Sequence, residues 1–271
     1  MFFKVNNDNI YAYTGGKAFD ASKPTAIFIH GVLCDHSVWA LQSRYLANHG
    51  WNVLAIDLPG HCRSQGAAPK TVEEAATFIG LLMDTAGVQR AALIGHSWGS
   101  LIAMEAAATL KERISHLVLV GTAFPMKVSP ALLDSALNTP EKAIAMVNTF
   151  SRATLSPPNG AGSWVFGAGM ALGRRVLASN ASTNLLHAGF TACDSYAGGE
   201  TAMAQITAPI LFVLGEQDQM TPPKAAKGLV DAAKADGKAV QVQMIPNGHN
   251  QMTESPDATL FAIHGFLNGK A

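Results

Sequence analysis

Ala91-Ala92-Leu93-Ile94-Gly95-His96-Ser97-Trp98-Gly99 decides the fold. Its first four residues form a short apolar run, read as a strand covered on both faces. The amphipathic segment Gly99 to Leu110 that follows is read as a helix. Between them Gly95, Ser97 and Gly99 match G-x-S-x-G in the strand–turn–helix setting that makes this pattern informative. So sharp a turn crowds strand against helix, and glycine at both flanks avoids Cβ clashes there. The turn exposes Ser97 Oγ, while the start of the helix points N–H groups toward developing negative charge. Ser97 is therefore the candidate nucleophile.

Outward from this turn the same rhythm repeats. Thr25 to Ile29 ends at His30-Gly31, Val53 to Ile56 at Asp57, Leu117 to Val120 at Gly121, and Ile210 to Leu214 at Gly215. Val240 to Ile245 ends before Pro246 and is read as a further buried strand. Phe2 to Val5 and Ile10 to Thr14 flank an Asn-rich turn and predict a hairpin. Helix-length segments run over Val38 to Asn48, Val72 to Ala86, Pro223 to Ala233 and Ala258 to Leu267. Alternating strands and helices predict an α/β fold with a mostly parallel, doubly wound sheet, whose ligands bind beyond the carboxyl ends of the strands. Residues 124–205 break the rhythm: Pro140 to Phe150 and Gly169 to Ser179 look helical, around a break at Ser156 to Gly162. This stretch is read as an inserted helical lid, dividing the chain into a core of 1–123 and 206–271 and a lid of 124–205.

A serine hydroxyl needs a base. His249 follows the last predicted strand and lies at the strand-end rim, whereas His30 and His96 are assigned to packing, His61 to a polar loop and the others to surface or core. The base needs a carboxylate to fix its tautomer. Asp218 follows the Ile210 to Leu214 run, with Glu216 as a rim rival. The order Ser97, Asp218, His249 suits this architecture, and the loop Gly121 to Pro125 offers no competing carboxylate. An oxyanion needs two N–H donors; Trp98 and Val32 are chosen, with Leu33 as the fallback.

His30-Gly31, Asp57 to His61, Gly95 to Gly99, Gly215 to Asp218 and Gly248-His249 together resemble the α/β-hydrolase superfamily, over nearly the whole chain. The resemblance implies a serine hydrolase with a Ser97–His249–Asp218 triad, cleaving a carboxylic ester or related carbonyl bond through an acyl-enzyme, without metal or organic cofactor. Ser97 departs from the aspartate nucleophile of dehalogenase-like members. The elbow is similar to that of proline iminopeptidases, but His30-Gly31-Val32-Leu33-Cys34 replaces their His-Gly-Gly-Pro-Gly loop. C–C bond hydrolases, enol-lactonases, and a lyase or receptor on the same fold remain alternatives.

The 271 residues carry 19 Lys plus Arg against 19 Asp plus Glu, with 48% hydrophobic and 14% charged residues. Such a chain can bury a large core, and its zero balance offers no pull toward nucleic acid or an anionic membrane. Cys34, Cys62 and Cys193 form no disulfide or zinc pattern. No signal-like start or membrane-length apolar run appears, which leads to the expectation of a cytoplasmic protein acting on a small, mostly apolar molecule. Leu33, Phe124, Trp164 and Phe190 are the candidate substrate contacts, with Trp98 and Val32 completing the pocket wall. Arg174-Arg175 is read as a solvated basic pair.

Overall fold

The computed structural model describes residues 1–20, 22–153 and 161–269, apart from the side chains of 161–164. Eight strands make one sheet in the order β1-β2-β4-β3-β5-β6-β7-β8. They are β1 (Phe2–Val5), β2 (Asp8–Tyr13), β3 (Thr25–Ile29), β4 (Asn52–Ile56), β5 (Ala91–His96), β6 (Ile114–Val120), β7 (Ile210–Gly215) and β8 (Val240–Ile245). The β1–β2 and β2–β4 pairs are antiparallel and the rest parallel. Asn6 and Asn7 take positive φ of 49° and 72° in the two-residue hairpin turn, a conformation that asparagine tolerates well. The second hairpin strand therefore begins two residues earlier than the apolar pattern indicates.

Helices cover both faces. On one side α1 (Ala40–Asn48) and α11 (Pro256–Leu267) bury Leu46, Ile263 and Phe266 against Phe28, Ile94 and Val120. On the other, α2 (Val72–Thr85), α3 (Trp98–Leu110) and α9 (Pro223–Ala235) bury Ile79, Leu101 and Leu229 against Ile27, Leu93 and Phe212. The central strands β3, β4 and β5 are buried at every position, which explains their unalternating apolar sequences. β8 is a correction: it is the sheet edge, and four of its six residues, Gln241 to Met244, are exposed. Its Val-Gln-Val-Gln alternation marks a strand whose cover is incomplete.

Between β6 and β7 lie α4 (Pro130–Asn138), α5 (Pro140–Phe150), α6 (Ala161–Ala178), α7 (Leu185–Ser195) and α8 (Gly199–Gln205), and the short α10 (Gln251–Glu254) follows β8. The helix expected over Gly169 to Ser179 begins at Ala161, and α4, α7 and α8 have no counterpart among the helices expected from sequence. Their starts nevertheless carry local signals. Ser129 accepts a bond from Leu132 N with Pro130 behind it, and Asn184 caps α7 through His187 N, both ordinary helix-start devices. Leu132, Ile144, Val176, Leu186 and Phe190 gather with Leu33 into a separate apolar cluster. Ser156 to Gly160, most of the Pro/Gly break, lies outside the described residues.

Two glycines show why the elbow admits no other residue. A Cβ on Gly95 would stand 2.0 Å from Gly99 O, and one on Gly99 would stand 2.4 Å from Ile29 O. Backbone cannot yield as a side-chain tip can. Gly99→Ala should lower unfolding free energy by about 3 kcal/mol, as overpacking does. Gly228, exposed in α9, is the opposite case, because a methyl group there would meet nothing within 4 Å. Gly228→Ala should raise stability by about 0.5–1 kcal/mol. Urea denaturation of both variants checks the contrast.

Candidate active site

Ser97 sits between β5 and α3 at φ 54°, ψ −121°. A non-glycine residue held there stores backbone strain and depends on its surroundings to keep it. Ser97 N donates to Val120 O at 2.9 Å, and Ser97 O accepts from Ser100 N at 2.8 Å. The neighbouring strand and the first helical turn thus fix the residue from both sides. Among the described residues Ser97 Oγ makes no hydrogen bond. Catalytic hydrogen bonds commonly tighten only once substrate is bound.

The structure brings Asp218 and His249 together. Asp218 is in the loop after β7 and His249 in the loop after β8, and His249 Nδ1 lies 2.8 Å from Asp218 Oδ2. Both side chains are buried. Asp218 Oδ1 accepts from Met220 N and Thr221 N, each at 2.8 Å. Burial opposes the Asp218 charge, but His249 and the Thr221 donors outweigh it and hold the carboxyl below its usual range. A charged Asp218 keeps the proton on Nδ1, leaving Nε2 with a free lone pair.

Three neighbours steady this pair, and two of them, Thr221 and Gln251, carry no motif in the sequence. Thr221 Oγ1 lies 2.8 Å from Asp218 Oδ2, 3.0 Å from His249 Nδ1 and 2.9 Å from Gly121 O. Gln251 Nε2 donates to Asp218 Oδ2 at 3.4 Å. His96 Nε2 lies 2.8 Å from His249 O, and the two rings are 4.7 Å apart. Burial pushes the His96 pKa down to about 3, so the ring is neutral and donates through Nε2. Thr221 is a positioning residue: Thr221→Val should cut turnover by up to about tenfold, the worth of one hydrogen bond. Loss in kcat rather than KM, with a displaced pH–rate profile, would distinguish this from a general loss of packing.

His30 is buried, and its Nδ1 lies 2.9 Å from Gly31 O while Nε2 accepts from Leu58 N at 3.2 Å. The ring thereby ties the loop after β3 to the loop after β4. His61 lies in the loop after β4 as expected, but its side chain is buried, with its ring 5.2 Å from that of His30, so it joins this packing. Asp57 is also buried; it accepts from His36 N at 2.9 Å and from Arg63 N at 3.2 Å, and His36 Nδ1 stands 2.7 Å away. Arg174-Arg175 is not simply solvated, since Arg174 pairs with Glu141 and Arg175 with the buried Asp35 at 2.5 Å.

Ser97 and His249 open on two cavities. The larger, about 530 Å³, is lined in addition by Val32, Leu33, Asn148, Arg152 and Phe190. The smaller, about 250 Å³, is walled by Val32, Met126, Leu132, Met146 and Phe190. Leu33 lines the larger cavity, and Phe190 and Val32 line both. Phe124 does not line either; it packs against Tyr196, its ring centroid 5.9 Å away, and closely on Gly199. The Trp98 side chain is likewise buried in the core beneath α3 and forms no wall. Proximity in sequence suggests a place at the site for both, but the direction of the chain turns their rings inward. Trp164 lies outside the described side chains. Trp98 begins α3 directly after Ser97, and Val32 follows Gly31, where an added Cβ would stand 3.2 Å from Ser97 Cβ.

Residues 24–155 match the family model described as alpha/beta hydrolase fold. The acetyltransferase component of an acetoin cleaving system from Cupriavidus necator is 35% identical over 111 residues, 41% of this chain and 28% of that protein. An esterase from Exiguobacterium antarcticum superposes with TM-score 0.83 at 16% identity, over 98% of each chain. The enol-lactonase from Burkholderia xenovorans LB400 superposes with TM-score 0.80 at 24% identity, over 99% of this chain and 100% of that one. At these identities the structural likeness is one of fold. The chain spans 28% of the first of its curated relatives and about half of the next ones. Among the described residues, no helix is long and apolar enough to cross a membrane.

Proposed function

We propose that the chain, whose residues 24–155 match the alpha/beta hydrolase fold family, is a serine hydrolase that cleaves a carboxylic ester or a related carbonyl bond of a small molecule. The observation that carries the reading is the buried 2.8 Å contact of Asp218 with His249, beside a strained Ser97 that opens on the same cavities. In the proposed reaction His249 Nε2 takes the Ser97 hydroxyl proton as Oγ attacks the carbonyl carbon. The Val32 and Trp98 N–H groups hold the resulting oxyanion. Collapse breaks the bond to the leaving alkoxide, which takes the proton from His249. Water then attacks the acyl-enzyme with His249 again as base, and releases the acid and free Ser97. The residues 124–205 act as a lid over the cavities. No metal or organic cofactor enters this scheme, and a small molecule is the only partner it needs.

Two known activities on this fold, of the esterase and the enol-lactonase above, differ in whether the leaving alkoxide departs or stays tethered, and the proposed machinery serves both. The test is a panel of p-nitrophenyl esters from acetate to palmitate, with an enol-lactone and an aminoacyl arylamide added. Steady turnover of esters or lactone, together with labelling of Ser97 by a fluorophosphonate, is the expected result. A single burst without cycling would replace the hydrolase with a receptor, and preference for the arylamide would replace it with an aminopeptidase.

A further inference from the structure

Arg152 lies just after α5, in the strap Ser151-Arg152-Ala153 that binds the His249 loop. Ser151 O accepts from His249 N at 2.8 Å and from Asn250 N at 3.3 Å. Ala153 N donates to Glu254 Oε2 at 2.9 Å. A Cβ on Gly248 would stand 2.5 Å from Ala153 N, so strap and loop are in close backbone contact. The guanidinium of Arg152 is thus carried on backbone joined to the candidate base itself.

Arg152 lines the larger cavity together with Ser97 and His249. Among the described residues it forms no ion pair and donates no hydrogen bond, and its Nε is buried without a partner. The other arginines of the chain are treated differently. Arg113, Arg174 and Arg175 each pair with a carboxylate, Arg63 stacks over the Tyr11 ring, and Arg44 and Arg90 are exposed. The Glu254 carboxylate acts on Arg152 through space, but it forms no ion pair with it, and its oxygens accept from Ala153 N, Gly248 N and Asn250 N. Cys34, which also lines the cavity, has its thiol pushed up to about 12 by burial and carries no negative charge at neutral pH. A guanidinium does not deprotonate to escape burial. It therefore presents a fixed, under-compensated positive charge to the cavity, and a bidentate carboxylate is the ligand group that fits it. The smaller cavity carries the apolar side chains of Met126, Leu132, Met146 and Phe190, with Lys127, Ser129 and Gln219 also on its wall.

We propose that Arg152 anchors a carboxylate on one arm of the substrate, while the apolar arm occupies the Met126–Met146 cavity on the other side of the scissile carbonyl. The substrate class is then a carboxylate-bearing ester or lactone. This rests on the hydrolase reading above and narrows it from a mostly apolar molecule to an amphiphilic acid.

Two matched pairs test the anchor from either side of the ester: mono-p-nitrophenyl adipate against p-nitrophenyl heptanoate, and 4-carboxyphenyl butanoate against 4-tolyl butanoate. In at least one pair the acid should exceed its neutral partner in kcat/KM by tenfold or more, chiefly through KM. Arg152→Met should lower the acid at least tenfold more than its partner, and Arg152→Lys should restore part of the difference. Equal losses, or preference for the neutral ester in both pairs, overturn the anchor. Calorimetric binding of heptanoate against heptanamide separates this from the hydrolase reading. Tighter heptanoate binding that is lost in Arg152→Met with no ester turnover in the wild type keeps the anchor and removes the hydrolase. Equal binding of the two ligands in wild type and variant removes the anchor alone. Should Arg152→Met fail to fold, Arg152→Lys and Arg152→Gln carry the same comparison.

Discussion

Ser97→Ala should reduce ester turnover by roughly 10⁴-fold or more, the scale of loss when a serine nucleophile is removed from such a set. The loss follows from geometry as well as chemistry. Alanine at φ 54° keeps the elbow's strain and its hydrogen bonds to Val120 and Ser100, because those bonds use backbone atoms of residue 97. The variant should therefore fold with an unchanged circular dichroism spectrum and still bind product acids. What disappears is the Oγ that forms the acyl-enzyme and takes the fluorophosphonate label. A Ser97→Ala enzyme that still hydrolyses p-nitrophenyl acetate at the wild-type rate would sink the proposed mechanism.

Asp218→Asn is the second large effect, a fall in kcat of about 10³- to 10⁴-fold with the fold retained. Asparagine keeps one carbonyl oxygen, which can still accept the Met220 and Thr221 backbone N–H groups that reach Oδ1. Its amide nitrogen then occupies the place of Oδ2, facing His249 Nδ1. Two donors cannot face each other, so the imidazole is driven to the Nε2–H tautomer, and that nitrogen can no longer accept the Ser97 proton. The same substitution has a signature in stability. The Asp218 pKa is lowered in the folded chain, so its charge contributes stability above the unfolded carboxylate value. That contribution is lost as pH falls through the folded value. The gap in unfolding free energy between wild type and Asp218→Asn should therefore be full near neutral pH and close below about pH 4, the unfolded aspartate range. A gap that widens on acidification would mean that Asp218 is neutral in the folded chain. Urea titrations across pH measure it.

Much of this site was legible because its parts are punctuated locally. Gly95 and Gly99 mark the elbow, and each of Asp57, Asp218 and His249 follows an apolar run within a few residues. The helices of 124–205 were harder. α4 and α7 turn Leu132, Leu185, Leu186 and Phe190 toward one another and Leu33, and only Ala192 and Cys193 of α7 reach the main core, so no neighbouring strand signal frames them. β8 was misjudged because five or six residues of mixed Val, Gln and Met suit a strand whether or not a helix covers it. Thr221 and Gln251 carried no motif at all, since a threonine three residues after an aspartate is ordinary turn chemistry until the histidine is beside it. Phe124 and Trp98 show the converse error. Adjacency in sequence put them at the cavity, and the backbone direction put their rings in the core.

The sequence by itself determined the alternation of strand and helix, the sharp turn at Ser97 and the identity and order of the three candidate residues. These follow from local sterics and from periodicity, which act over a few residues. Only the tertiary structure decided which histidine meets which acid, how Thr221 and His96 hold it, and that Arg152 faces the cavity without a partner among the described residues. Those facts depend on contacts between residues such as Ser151 and His249, 98 positions apart in the chain and 2.8 Å apart in the fold. Distances of that kind are set by how packed layers bring strand ends together, and no local pattern records them.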